Sequence, residues 1–150
     1  MEWMLLPLKR YAEFSGRSRR MEYWMFALLN IIVAAVLMSL LLVGGFSLGN
    51  FANPENPQVS FGPIFWLGTG LLVLWALAIF IPSIAVTIRR LHDRDMSGWW
   101  YLGLFALRLI PFVGFIASIA FLVLMLLPGT AGPNRFGPDP KDPASAEVFA

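Results

Sequence analysis

Residues 89–101 read Arg89-Arg90-Leu91-His92-Asp93-Arg94-Asp95-Met96-Ser97-Gly98-Trp99-Trp100-Tyr101. This stretch holds the only histidine of the chain, three of its eleven basic residues and two of its nine acidic residues. Long apolar runs lie on both sides of it. A charged turn with aromatic side chains at its edge, placed between apolar runs, is typical of a membrane–water interface. The stretch therefore predicts a point at which the chain leaves the membrane and enters it again.

The composition places the chain among membrane proteins. Hydrophobic residues make up 58% of the chain and charged residues 13%, whereas a soluble domain is about 45–50% apolar and about 25% charged. Charge-free runs extend from Tyr23 to Pro54 and from Asn56 to Ile88. Each run is longer than the roughly 18 apolar residues that indicate a membrane span. We expect one polytopic, all-α membrane domain covering residues 1–150.

Charge and turn residues divide that domain into segments. Two full spans are predicted at about 23–43 and 64–88, after a basic segment at 1–22. Five basic residues lie in that first segment, whereas the loop at 46–62 contains no Lys or Arg. Because positive charge is retained on the cytoplasmic side, this difference predicts a cytoplasmic N-terminus and an external loop.

The third apolar stretch, residues 99–127, allows two arrangements. As one straight helix its 29 residues would extend about 43 Å, longer than a span needs. That helix would also place Arg108 near mid-depth, at a cost of roughly 2.5–3.5 kcal/mol. Pro111 and Gly114 interrupt the stretch. It is therefore predicted to form either a short helical hairpin at 99–127, or an interfacial helix at 99–108 followed by a third span.

The two arrangements place the C-terminus on opposite sides of the membrane. The hairpin leaves the tail, residues 128–150, on the cytoplasmic side, and the third span puts it outside. Arg135 and Lys141 lie close to the membrane end, so the distribution of positive charge favours the hairpin. Three Gly and four Pro between residues 128 and 140 exclude a helix there and predict a series of tight turns.

The chain contains three distinctive polar motifs. They are Phe14-Ser15-Gly16-Arg17 with Arg20 and Glu22-Tyr23-Trp24, then Arg90-Leu91-His92-Asp93 with Ser97-Gly98-Trp99-Trp100, and finally Pro128-Gly129-Thr130 with Gly132 and Asn134-Arg135-Phe136-Gly137. In this order they resemble a family of small bacterial inner-membrane proteins, domain of unknown function 805. The resemblance covers about residues 9–140 and implies a multi-span inner-membrane protein without an established activity. Arg108 departs from the pattern, which would have an apolar residue there.

The residue inventory excludes several kinds of chemistry. Without Cys there is no disulfide, thiolate nucleophile or Cys-ligated metal, and one His cannot form a two-His metal site. Ser97, His92 and Asp93 are the residue types of a nucleophile triad, but neighbouring His and Asp side chains diverge on a helix. A magnesium ion on Asp93, Asp95 or Asp139 is a lesser alternative. We expect no catalytic residue, no metal and no cofactor.

The polar motifs themselves have two interpretations. In the simpler one the 89–101 stretch is an interfacial turn, in which Arg89, Arg90 and Arg94 contact lipid phosphates. In the other the three motifs fold together as a cytoplasmic polar cap with a partly buried ion-pair network, which requires the hairpin. The polar cap consists of Arg17, Arg20, Glu22, Arg90, His92, Asp93, Ser97, Asn134 and Arg135.

Three functional hypotheses follow for a multi-pass protein of the bacterial inner (plasma) membrane. The first is a non-enzymatic sensing, scaffolding or interaction module, whose partners are anionic lipid headgroups and a second copy or another membrane protein. The second is an oligomeric transporter or channel component. The third is an enzyme acting on lipid or envelope precursors, with His92 and Asp93 as its acid–base pair. Nucleic-acid binding is not expected, because the basic clusters are short and lie next to membrane anchors.

Overall fold

The computed structural model describes residues 2–45 and 61–142, and within those residues the regular structure is helical. The predicted all-α class is confirmed there. Most of the predicted external loop, residues 46–60, lies outside the described residues. The five helices are α1 (Glu2–Lys9), α2 (Arg20–Gly45), α3 (Pro63–His92), α4 (Trp99–Leu107) and α5 (Val113–Leu126).

Helices α2 and α3 are long and apolar enough to cross a membrane. Their 26 and 30 residues correspond to about 39 and 45 Å of helix. Both continue past the predicted spans, because the charged residues at the start of α2 and at the end of α3 are themselves helical. Large apolar side chains such as Ile31, Leu74 and Phe80 are exposed along them, as expected of helices that meet lipid.

The chain forms two compact units, residues 27–80 and residues 1–26 with 81–150. In the first unit α2 and α3 approach closely at two glycines. A Cβ at Gly44 would overlap the backbone of Phe65, and one at Gly68 would lie 3.2 Å from the Leu41 side chain. Small residues permit this approach between apolar helices. The second unit holds the three polar motifs. Whether the two units make a single domain stays a prediction.

Helices α4 and α5 form the predicted hairpin. The turn between them is tight, because the Gly114 N–H donates to the Ile110 carbonyl at 2.7 Å. A Cβ at residue 114 would lie 2.6 Å from the Arg108 carbonyl oxygen, so the turn requires glycine there. The hairpin ends differ slightly from the prediction, since α4 stops at Leu107 and α5 already begins at Val113.

The hairpin, not the alternative third span, also agrees with the position of the tail. After α5 the chain returns to the end of α3, where Thr130 N–H donates to the Asp93 carbonyl at 2.8 Å. The surface of the hairpin turn is apolar: Phe112 is 90% exposed and Leu109 is 75% exposed. An exposed apolar surface of this kind favours contact with lipid or with another protein. The tail itself turns repeatedly, with Gly132 and Gly137 at positive φ.

Candidate functional site

Asp93 is the centre of a buried ion-pair network. One carboxylate oxygen, Oδ1, accepts from Arg17 Nε at 3.0 Å and lies 2.9 Å from Arg17 Nη2. The other, Oδ2, accepts from Arg90 Nη1. The three side chains are at most 4% exposed. Arg90 and Asp93 are three residues apart at the end of α3, which places them on one helical face. Arg17 reaches them from the segment before α2.

The network holds two positive charges and one negative charge, and backbone carbonyls offset the excess. Arg17 donates to the carbonyls of Thr130 and Gly132, each at 2.6 Å. Arg90 donates to the carbonyls of Met125 and Leu127. The last carbonyls of a helix have no partner within it and form the negative end of its dipole. The end of α5 therefore acts as part of the counter-charge for Arg90.

The tail binds to the end of α3 through its own polar groups. Asn134 Nδ2 donates to the His92 carbonyl at 2.9 Å and to Thr130 Oγ1 at 3.0 Å. Gly129 lies directly against Asp93, so that a Cβ at residue 129 would overlap the carboxylate. The tail thus supplies hydrogen bonds to carbonyls that helix α3 leaves free, and glycine permits its close approach.

His92 is positioned by contacts on both sides of its ring. Its Nδ1 lies 3.2 Å from the Gly16 carbonyl oxygen, which can only accept, so Nδ1 carries the proton. The ring stacks on Phe136, with 3.9 Å between centroids and 3° between planes. The Ser97 hydroxyl instead accepts from the Trp99 N–H at 3.4 Å. Because the Asp93 carboxylate is bonded to arginines, the Ser–His–Asp arrangement is not formed.

Arg89 and Glu22 form a second buried pair, which the sequence reading missed. Arg89 Nη2 donates to Glu22 Oε1 at 2.8 Å, and both side chains are at most 3% exposed. Arg89 also donates to the carbonyls of Arg10 and Glu13. The expectation that Arg89 and Arg90 contact lipid phosphates is therefore wrong. Adjacent residues on a helix point in different directions, so the two arginines needed separate partners.

A further set of donors surrounds the end of α5. Arg20 donates to the Leu126 carbonyl at 3.2 Å and Trp24 Nε1 to the Met125 carbonyl at 3.3 Å. Just after the end of α5, the Pro128 carbonyl accepts from Arg94 Nη1 at 3.2 Å. Arg20 thus joins the cap through a carbonyl and not through a carboxylate.

Arg135 lies at the exposed rim of the cap and outside the buried network in which it was expected. Its Nε is 3.1 Å from Asp95 Oδ1, and its side chain is 59% exposed. Nearby, the backbone N–H groups of Lys141 and Gly132 donate to Asp139 and hold the pKa of that carboxyl below its usual value. Asp139 is therefore ionised at neutral pH and stabilises the turn of the tail.

An apolar cavity of about 460 Å³ opens beside the cap. Its wall includes Ile88 of α3, Leu102 of α4 and Phe14, with His92 and Ser97 at one edge. In the part of the chain that the structure describes, no three His, Asp or Glu side chains converge on a point where a metal ion could bind.

The segments that meet in this cap lie within a region of the sequence that matches a known protein family. The family described as "protein of unknown function (DUF805)" matches residues 11–138. The chain belongs to the DUF805 family. It is 42% identical to "Inner membrane protein YhaI" of Escherichia coli (strain K12) over 141 residues, which cover 94% of this chain and 97% of that protein. No solved structure is similar to it.

Other members extend the comparison. The chain is 42% identical to "Inner membrane protein YhaH" of Escherichia coli (strain K12) over 142 residues, 94% of this chain and 98% of that one. It is 32% identical to "Uncharacterized protein YiiR" of the same strain over 114 residues, which cover 51% of this chain and 78% of the relative. Together with the two long apolar helices, these likenesses identify this DUF805 chain as an integral membrane protein.

The buried and exposed aspartates of the cap provide a matched comparison. Replacing Asp93→Asn leaves Arg17 and Arg90 without a counter-charge in a buried place, which should lower the free energy of unfolding by about 3–5 kcal/mol. Asp95→Asn removes only the exposed pair with Arg135 and should cost at most about 1 kcal/mol. Denaturant unfolding of the two variants in detergent measures both values. Equal losses would contradict the assigned network.

Proposed function

We propose that this protein is a non-enzymatic interaction module of the bacterial inner membrane. In this proposal a cytoplasmic polar cap locks the ends of the helices, and its exposed rim binds anionic lipid headgroups. The proposal rests on the finding that the buried charged side chains bind each other and backbone carbonyls of the protein. Arg17, Arg89 and Arg90 donate to Asp93, Glu22 and backbone carbonyls. These groups stabilise the cap and are not poised to react with a substrate.

The rim of the cap differs from its interior. Lys9, Arg20 and Arg135 are exposed, and the side chains of Trp99 and Trp100 are 77% and 55% exposed. Basic residues beside an aromatic belt favour the headgroup layer, and a basic residue near an anionic surface contributes about 1 kcal/mol. The apolar cavity next to Trp99 offers hydrocarbon contact at the same level.

The distribution of charge supports a cytoplasmic position for this cap. Ten of the eleven Lys and Arg residues lie in the cap segments: before α2 or at its first residue, at or just after the end of α3, and in the tail. The remaining one is Arg108. Because positive charge stays on the cytoplasmic side, we propose that both the N-terminal segment and the tail are cytoplasmic and that α2 and α3 are two membrane passes.

The lack of cysteine makes this topology directly testable. Single substitutions Glu2→Cys and Arg135→Cys each introduce one thiol on an exposed side chain of the cap. In intact cells a membrane-impermeant maleimide should label neither, and after permeabilisation it should label both. A substitution in the predicted external loop, Ser60→Cys, is the control and should react in intact cells. Labelling of residue 135 in intact cells would contradict the proposed sidedness.

Lipid preference tests the binding function. In vesicles, brominated phosphatidylglycerol should quench the tryptophan fluorescence more than brominated phosphatidylcholine, and the difference should shrink at high salt because exposed charges are screened. The double variant Lys9→Gln/Arg135→Gln should lose much of this preference. The matched variant Lys9→Arg/Arg135→Lys keeps both charges and should retain it. Equal quenching by the two lipids in the unmodified protein would refute headgroup binding.

A further inference from the structure

Arg108 is the one charged residue between positions 96 and 134. It caps the C-terminal end of α4, and its backbone N–H donates to carbonyls of that helix. Its guanidinium carbon lies 4.6 Å from the centre of the Phe121 ring. Among the described residues, no carboxylate lies within ion-pair distance of it, although the side chain is exposed on an otherwise apolar hairpin. The surrounding hydrocarbon therefore contains a cation whose counter-ion this hairpin does not provide.

The direction of the Arg108 side chain indicates where that counter-ion lies. Side chains on a helix lean toward its N-terminus, which for α4 is the end beside the cap. Phe121 is about two turns along α5 on its return toward the cap. The contact between Arg108 and Phe121 therefore places the guanidinium between the two helices, directed toward the cap side.

Two tyrosines lie along the same path. Tyr101, about two turns before Arg108 on α4, is 6.4 Å from Phe121 between ring centroids. Tyr23, at the start of α2, lies within electrostatic range of both Arg108 and Tyr101. Phenol hydroxyls donate hydrogen bonds to anions, and arginine presents two parallel N–H donors that match phosphate geometry. Arg108, Tyr23 and Tyr101 are the groups that we call the anion slot.

We propose that the anion slot binds the phosphate of one phospholipid from the leaflet on the cap side. Phosphate is the anion that a bilayer offers in quantity, and a charged side chain in hydrocarbon is accommodated when headgroups and water are drawn toward it. Helix α4 has nine residues, about 13 Å, so Arg108 lies below the headgroup layer. The long side chain of Arg108 extends part of the way to the headgroup layer, and the lipid phosphate moves below that layer to meet the guanidinium.

This site differs in chemistry from the rim of the cap. The rim is proposed to prefer anionic lipids through its net charge, whereas the anion slot recognises the phosphodiester that every phospholipid carries. Zwitterionic phosphatidylcholine should therefore bind to the slot, and a diacylglycerol with the same acyl chains but no phosphate should not. If the preference for phosphatidylcholine over diacylglycerol is absent but the preference for anionic lipids is present, only this proposal fails. If the reverse is found, only the proposed function fails.

Native mass spectrometry of the purified protein in detergent tests the slot. The protein should bind one phosphatidylcholine about tenfold or more tightly than the matched diacylglycerol, which is the size expected of hydrogen bonds to a charged group. Arg108→Gln should abolish this difference. Arg108→Lys should keep part of it, because lysine retains the charge without the fork of two donors. Lys141→Gln, which removes an exposed charge from the tail, should leave it unchanged.

Four outcomes would overturn the proposal. Equal binding of phosphatidylcholine and diacylglycerol to the unmodified protein is one, and an undiminished preference in Arg108→Gln is the second. Displacement of the lipid by millimolar inorganic phosphate would assign the slot to free phosphate. A dimer that disappears in Arg108→Gln would assign the counter-ion to a carboxylate of a second copy. Matching thermal unfolding of Arg108→Gln and the unmodified protein ensures that a lost preference reflects the site.

Discussion

A buried carboxylate between two arginines is the constraint on which the cap depends. Asp93 joins Arg17 from the start of the chain to Arg90 of α3, and its main-chain carbonyl holds Thr130 of the tail. Buried charges are costly unless each finds partners, so none of these segments can leave without exposing the others to that cost. This mutual dependence explains why short polar motifs far apart in the sequence occupy one place in the structure.

The membrane character and the helices could be predicted from the sequence, because charge-free runs and turn residues determine them locally. Pro111, Gly114 and the position of Arg108 excluded one straight helix at 99–127, and the positive charge of the tail favoured the hairpin over a third span. The ion pairs of the cap could be predicted only in part, since they depend on which charged side chains face each other. Glu22 pairs with Arg89, which one of the two interpretations placed against lipid phosphates. Arg135 remains at the exposed rim. The backbone carbonyls that balance Arg17 and Arg90 leave no signal in residue identity.

Charge placement links the fold to the proposed function. The buried arginines are used within the protein, Arg135 lies at the exposed rim of the cap, and Arg108 is the one charged residue of the hairpin. In the proposed arrangement each group meets a different environment: protein interior, headgroup layer and hydrocarbon. The same residue type thus stabilises the cap in one place and is proposed to bind lipid in the other two, and depth decides which role applies.

Arg17 and Asp93 stabilise the protein together, and a double-mutant cycle measures the coupling free energy between them. Unfolding free energies are compared for Arg17→Gln, Asp93→Asn and the double variant in the same detergent. Residues in direct contact typically show a coupling of about 0.5–3 kcal/mol. We predict a coupling in the upper part of that range, with the double variant more stable than the sum of the single losses implies. Additive losses would contradict the account.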